Sequence, residues 1–263
     1  MSAALPLPPI EEQPAPSKKV RAIHTWVDSL KSLLTTITIA VFVITFIVQA
    51  FQIPSESMED TLQIGDYLLV DKIHFGSAGF LSSVMPYDHI RRDDIIVFRY
   101  PVHPEQHFVK RVIGVPGDRL KLSAGRVFVN DQLLPEPYVV HKRHNVDPYR
   151  DNFPNLRYAN PNVTAPWYAQ LEKMVDDRGE LIIPERNYFV LGDNRDDSLD
   201  SRYWGFVPQE SVLGRPLLIY FSVGQPEANE ASVQQDDRLL RFAYFLGHIT
   251  DSVRWRRCLR LVN

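Results

Sequence analysis

Residues 32–51, SLLTTITIAVFVITFIVQAF, carry no charge, and the next charged side chain is Glu56. Twenty such residues, rising about 1.5 Å each, match a hydrocarbon core of about 30 Å. No polar stripe recurs at helical spacing, as it would on a helix packed against a globular core. The pattern predicts one transmembrane helix over 32–51. Lys18, Lys19, Arg21 and Lys31 precede it and the next basic residue is Lys72, which places the N-terminus in the cytoplasm and the bulk of the chain outside. Val48-Gln49-Ala50 resembles the small-x-Ala end of a cleavable signal peptide. The length of the apolar run and the residues ahead of it favour a retained anchor.

Beyond the span the pattern changes to short apolar runs bounded by Gly, Pro, Asn and Asp, which predict strands. These runs are 67–73, 94–100, 107–115, 126–130, 187–191 and 217–223. Asn130-Asp131 predicts a hairpin turn. Residues 141–180 are polar with scattered aromatics and prolines, and a short helix is expected near 166–175. The expected organisation is a disordered cytoplasmic tail (1–31, Pro/Ala-rich over 1–17), the span (32–51), and an extracytoplasmic catalytic region (52–223). A β-rich insertion at about 119–184 interrupts that region, and a basic amphipathic segment (224–263) follows it. Residues 238–260 mix Arg with Leu, Phe, Tyr and Trp. They read either as an interfacial segment touching anionic lipid or as a surface helix with a solvated charged face.

Composition sharpens this picture in two places. Twenty prolines among 263 residues argue against a helical bundle. Net charge is only −3, but residues 52–237 carry 19 basic and 28 acidic side chains, which argues against a nucleic-acid partner. Cys258 stands alone, so no intrachain disulfide exists, and a buried structural thiol is expected.

Candidate chemistry starts at Ser55 and Ser57, just past the span. Serines in a turn are ordinary. Lys110 is less so: strand alternation puts Phe108 and Val112 on its face, and burial would depress its pKa towards the value a general base needs. On the strand pattern alone, a surface lysine with a snorkelling stem remains the commoner reading. Residues 192–208, GDNRDDSLDSRYWGFVP, fail as a calcium loop because Ser201 and Val207 occupy the glycine and glutamate positions. No H-E-x-x-H, P-loop or G-x-S-x-G occurs. His141 with His144, or His103 with His107, could pair on a metal, but surface histidines are the plainer reading.

Four blocks in order resemble the bacterial type I signal peptidases (leader peptidases). They are Pro54-Ser55-Glu56-Ser57-Met58 with Thr61-Leu62, then Gly65 to Lys72 (GDYLLVDK), Lys110 to Asp118 (KRVIGVPGD), and Gly192 to Gly205. The resemblance covers roughly 33–223 and implies a mainly β fold with one N-terminal transmembrane helix. It also implies a Ser-Lys endopeptidase cutting signal peptides after a small-x-small site. Ser57 would be the nucleophile and Lys110 the base. Ser55 would serve the oxyanion hole and Ser198 would orient the Lys110 amine. Asp193, Asp200, Arg202 and Arg111 would brace the site by ion pairing. Ile53, Met58, Phe108 and Val109 would wall the substrate pockets. No metal or organic cofactor is implied. The implied partners are signal peptides of exported preproteins, membrane lipid and the export machinery, at a bacterial inner membrane. Glu56 and Glu59-Asp60 depart from the family's small residue and proline. The alternatives are a pilin-maturing Ser-Lys peptidase and an inactive membrane-tethered binding protein. A soluble self-cleaving repressor conflicts with the span and the acidic body. If Val48-Gln49-Ala50 is read as substrate, slow self-cleavage follows.

Overall fold

The structure, a computed structural model, describes residues 18–43, 48–72, 89–143, 145–158, 160–224 and 252–262. The chain divides into two compact units, Met1–Thr45 and Phe46–Asn263. The first contains α1 (Lys18–Phe42). Helix therefore occupies residues 18–31, where a disordered tail was expected; residues 1–17 lie outside the described set.

The expected span 32–51 is not a single helix. Helix α1 ends at Phe42, and Val48–Gln52 form β1. The reason is backbone pairing: Val48 to Gln52 sit in antiparallel register against Asp71 to Tyr67, so the end of the apolar run belongs to a sheet. Among the described residues no helix is long and apolar enough to cross a membrane.

The second unit is mainly β, as the runs of short apolar segments predict. Eight strands form one sheet. They are β1, β2 (Asp66–Asp71), β3 (Ile95–Arg99), β4 (His107–Gly114), β9 (Asn187–Leu191), β10 (Val207–Pro208), β11 (Val212–Ser222) and β12 (Arg260–Leu261). The order is β1-β2-β11-β3-β4-β9-β10, with β12 also on β11. The four strands of a second sheet lie at 119–182: β5 (Arg119–Ser123), β6 (Arg126–Val129), β7 (Gln132–Leu133) and β8 (Leu181–Ile182). Asn130 and Asp131 join β6 to β7 with φ of 53° and 64°, the left-handed pair a tight hairpin turn needs.

Strand β3 explains where the core sits. Ile95, Ile96, Val97 and Phe98 are all buried, so both faces of the strand are covered. Ile96 and Phe98 pack into a cluster with Val112, Leu120, Phe153 and Trp167. Ile95 and Val97 pack on the other side with Ile53, Met58, Leu62 and Leu68. Each such side chain contributes about 1.5–3 kcal/mol when fully buried. The second cluster includes Met58 and Leu62, so the loop after β1 is anchored through its own apolar residues. Helix α2 (Ala165–Met174) falls within a residue of its expected place. It buries Trp167 and Leu171, one turn apart on one face.

Most of the expected basic amphipathic segment, residues 225–251, lies outside the described set, which resumes at residues 252–262. They make a short 3₁₀ turn at Trp255–Arg257 and the strand β12, which pairs with β11. Cys258 is half-buried rather than enclosed, because the chain runs along the sheet edge there.

Candidate active site

The nucleophile candidate sits in a loop whose base is closed by two backbone bonds, Ile53 N to Asp66 O (2.9 Å) and Gly65 N to Ile53 O (3.1 Å). Residues Glu56–Met58 form a 3₁₀ turn, which buries Ser57 and Met58 while Glu56 remains exposed. Gly65 is needed at the base: its φ is +85°, and a Cβ there would stand 2.1 Å from Val223 O.

Lys110 comes from β4. Arg111 pairs with Leu191, the last residue of β9, so Lys110 falls beside the loop that begins at Gly192. Its side chain is not the snorkelling surface lysine of the plain strand pattern; the residue is 3% exposed. Lys110 Nζ hydrogen-bonds Ser57 Oγ at 2.6 Å and donates to Val109 O at 3.2 Å. Burial lowers its pKa to about 8, with nearby Asp200 and Asp193 pushing the other way. Ser55 Oγ lies 3.3 Å from Ser57 Oγ.

Two buried ion pairs stand behind Lys110. Arg202 grips Asp200 through Nε and Nη2, both at 2.8 Å, and Asp200 also accepts from Gly192 N. Burial pushes the Asp200 carboxyl up, but Arg202 outweighs it and holds it below its ordinary value. Arg111 grips Asp193 through Nε and Nη2 at 2.9 and 2.8 Å. Its guanidinium also stacks 3.9 Å from the Tyr138 ring centre. Such doubly bonded pairs are the geometry in which buried charge is tolerated.

Ser198 makes no hydrogen bond to the Lys110 amine, where an orienting contact was expected. Its hydroxyl is buried and lies on the Asp200 side, where it helps hold that carboxyl down, while the amine spends its bonds on Ser57 and Val109. The 192–198 turn nevertheless lies directly against Ser57. Asn194 N donates to Ser57 O at 3.1 Å. A Cβ on Gly192 would meet Ser198 Oγ at 2.2 Å and Ser57 O at 2.4 Å.

Some supporting residues were given no role by the sequence, although Thr61 and Asp66 stand within the matching blocks. Asp66 is fully buried and accepts from Ser222 Oγ (2.6 Å), Gln63 N (2.9 Å) and Arg257 (2.6 and 3.2 Å). Arg254 reaches Gln63 Oε1 at 2.7 Å, and Arg257 reaches Thr61 O at 3.0 Å. Thr61 Oγ1 in turn donates to Asp193 at 2.6 Å. Two arginines from the C-terminal segment therefore hold the loop that carries Ser57. Only the basic composition of that segment hinted at them.

A groove of about 420 Å³ opens beside Ser57 and Lys110, and Ile53, Met58, Phe108 and Val109 all line it. His103 and His141 each face a carboxylate, Glu105 and Asp196, and His144 lies outside the described residues.

The model of a family described as signal peptidase, peptidase S26, matches residues 26–221. The chain is similar to the signal peptidase I of Buchnera aphidicola subsp. Baizongia pistaciae: 32% identity over 246 residues, covering 77% of this chain and 79% of that protein. It is similar to the signal peptidase I of Pseudomonas aeruginosa: 31% identity over 233 residues, covering 82% and 80%. A crystal structure of a signal peptidase I from Enterococcus faecalis matches at 34% identity, covering 49% of this chain and 97% of that one, with a TM-score of 0.35.

Proposed function

This chain belongs to the signal peptidase family, peptidase S26, and we propose that it is a membrane-anchored serine endopeptidase that removes signal peptides from exported preproteins by a Ser57–Lys110 dyad. The observation that carries the proposal is the buried Lys110 amine, 2.6 Å from Ser57 Oγ with its pKa lowered to about 8. At that pKa about a tenth of the enzyme holds a neutral amine at pH 7 and about half at pH 8, without a histidine.

The neutral amine accepts the Ser57 proton as Oγ attacks the scissile carbonyl carbon. The Ser55 hydroxyl and the Ser57 backbone N–H donate to the oxyanion; one such donor is typically worth about 3 kcal/mol of barrier. Collapse breaks the C–N bond, and the Lys110 ammonium returns its proton to the leaving amine. Water then repeats the sequence on the acyl-enzyme, with Lys110 taking its proton and restoring Ser57. Asp200–Arg202 and Asp193–Arg111 fix the surroundings of Lys110 and keep its charged neighbours paired.

The substrate lies extended in the groove and pairs its backbone with a strand edge. Ile53 and Met58 are almost fully buried in the groove wall, so only small side chains fit at the positions one and three before the cut. The part of the uncharged run 32–51 that precedes β1, which α1 enters, is the anchor in a bacterial inner membrane, N-terminus in the cytoplasm. In support, Leu30, Leu33, Leu34, Ile37, Ile39 and Val41 are exposed along α1. Thr35, Thr36 and Thr38 satisfy their hydroxyls on carbonyls one turn back, which suits an apolar medium. Membrane lipid and the export machinery are the remaining partners of this reading.

Cleavage of a preprotein carrying an Ala-x-Ala site, in detergent, tests it. Full-length protein should cut after the second Ala, and folded Ser57→Ala and Lys110→Ala should both lose activity. A folded wild type that leaves the preprotein intact would favour a narrower pilin-type peptidase or a binding protein. Full activity in Lys110→Ala would sink the dyad.

A further inference from the structure

Asp197 ends the 3₁₀ turn Arg195–Asp197, and the chain beyond it is extended: Ser198 has φ −119° and ψ 122°, and Asp200 has φ −136° and ψ −165°. Neighbouring side chains in such a run point to opposite sides. Ser198 and Asp200 turn inward and are buried. Asp197 and Leu199 turn outward and both line the groove, where Leu199 is 44% exposed.

We propose that Asp197 and Leu199 form a further substrate contact that reads the residue between the two small ones, two before the cut, and prefers lysine or arginine there. The inference rests on the signal-peptidase reading of the groove. An extended peptide alternates its side chains, as burial alternates over residues 197–200. If the residues one and three before the cut face the buried walls at Ile53 and Met58, the one between them faces the exposed rim. Leu199 and Asp197 lie on that rim.

Their chemistry is complementary to a long cationic side chain. Leu199 offers an apolar surface for an aliphatic stem. Among the described residues that line the groove, Asp197 is the only carboxylate. Arg143, which is not among those residues, donates to Asp197 Oδ1; Oδ2 accepts from no described residue. The Arg143 side chain is 56% exposed, and an exposed pair of that kind is held by about 1 kcal/mol or less. An entering ammonium or guanidinium can therefore share the carboxylate, whereas a glutamate in the same place meets a like charge.

The test uses full-length protein in detergent and preproteins identical except for Ala-Lys-Ala, Ala-Ala-Ala or Ala-Glu-Ala before the cut. The expected order of kcat/KM is Lys above Ala above Glu, with Lys over Glu by about fivefold, the ratio that 1 kcal/mol supplies. Asp197→Asn should bring that ratio close to one and Asp197→Lys should invert it. Arg143→Gln, on the surface side of the pair, should widen it and serves if the Asp197 variants fail to fold. Leu199→Ala should lower the lysine and a methionine substrate together, since both lose the stem contact. A Lys-to-Glu ratio that survives Asp197→Asn, or that stays flat in Arg143→Gln, overturns the proposal while leaving the dyad intact. Failure of the wild type to cut even Ala-Ala-Ala removes the functional reading and this inference together.

Discussion

Lys110 rests on two carboxylates, Asp193 and Asp200, that come from one short stretch of chain and are paired with Arg111 and Arg202. The loop carrying Ser57 rests on Asp66, whose arginines arrive from 254 and 257. The first support is closed to water: Asp200 and Arg202 side chains are 0% and 1% exposed. The second is partly open, with Arg254 at 29% and Arg257 at 11%. The difference follows from what each half needs. A base needs its proton affinity set, and charge acts strongly where water is excluded. A nucleophile loop needs its position held, and hydrogen bonds to Thr61 O and Gln63 do that even near solvent.

Breaking the enclosed support should cost most. Asp200→Asn leaves Arg202 buried without its counter-charge, and the loss in unfolding free energy should be about 3–5 kcal/mol in a denaturant titration. In the folded fraction the Lys110 pKa should fall below about 8, because Asp200 raises it and Arg202 lowers it. Wild-type activity should rise with pH through about 8 as the amine loses its proton, and the Asp200→Asn midpoint should lie lower. An unmoved midpoint would show that Asp200 supports structure alone.

Crowding the joint between the two halves comes next. Gly192→Ala drives a methyl into Ser57 O and Ser198 Oγ, and displacing a reacting group by about 1 Å can cost about 100-fold in rate. Acylation of Ser57 by a mechanism-directed inhibitor should slow accordingly. Wild-type kinetics in this variant would mean that the loop yields easily.

The open support should break more gently. Arg257→Gln should cost about 1–3 kcal/mol, measured by thermal or denaturant unfolding at neutral pH. The sign with pH is fixed by Asp66. Burial raises its carboxyl, Arg257 and the other donors outweigh burial, and the net shift is downward. That stabilisation is present above the ordinary carboxylate range and fades as pH falls through the lowered value. The gap between variant and wild type should therefore shrink in acid. A gap that is constant with pH would mean lost packing alone.

The smallest effect is expected at the surface. Lys142 pairs with Glu59 beside the same loop, yet both ends reach solvent, so Lys142→Ala should leave the unfolding midpoint nearly unchanged. A larger loss would extend the support of the nucleophile loop to the 140–143 segment.

Local pattern carried much of this molecule. The strands at 107–114 and 187–191, the Asn130-Asp131 turn and the helix at 165–174 lie where periodicity and turn chemistry put them. The block from Gly192 to Gly205 names both acids behind Lys110 and one of their arginines, Arg202, because they are close in sequence; Arg111 stands next to Lys110 itself. Residues 48–52 misled the pattern for a physical reason. An apolar run states that water is excluded, not whether a bilayer or a neighbouring strand excludes it, and only pairing with 67–71 makes these residues a strand. The very short strands at 181–182, 207–208 and 260–261 have no period to read. The burial of Lys110 was equally hidden, because one strand face looks alike whether it meets water or a second layer. What the sequence determined by itself was the local alternation and the set of reactive side chains. Tertiary structure alone decided which of them meet, bringing Arg254 and Arg257 to Asp66 and Lys110 to Ser57, because contacts between distant segments leave no local period in the chain.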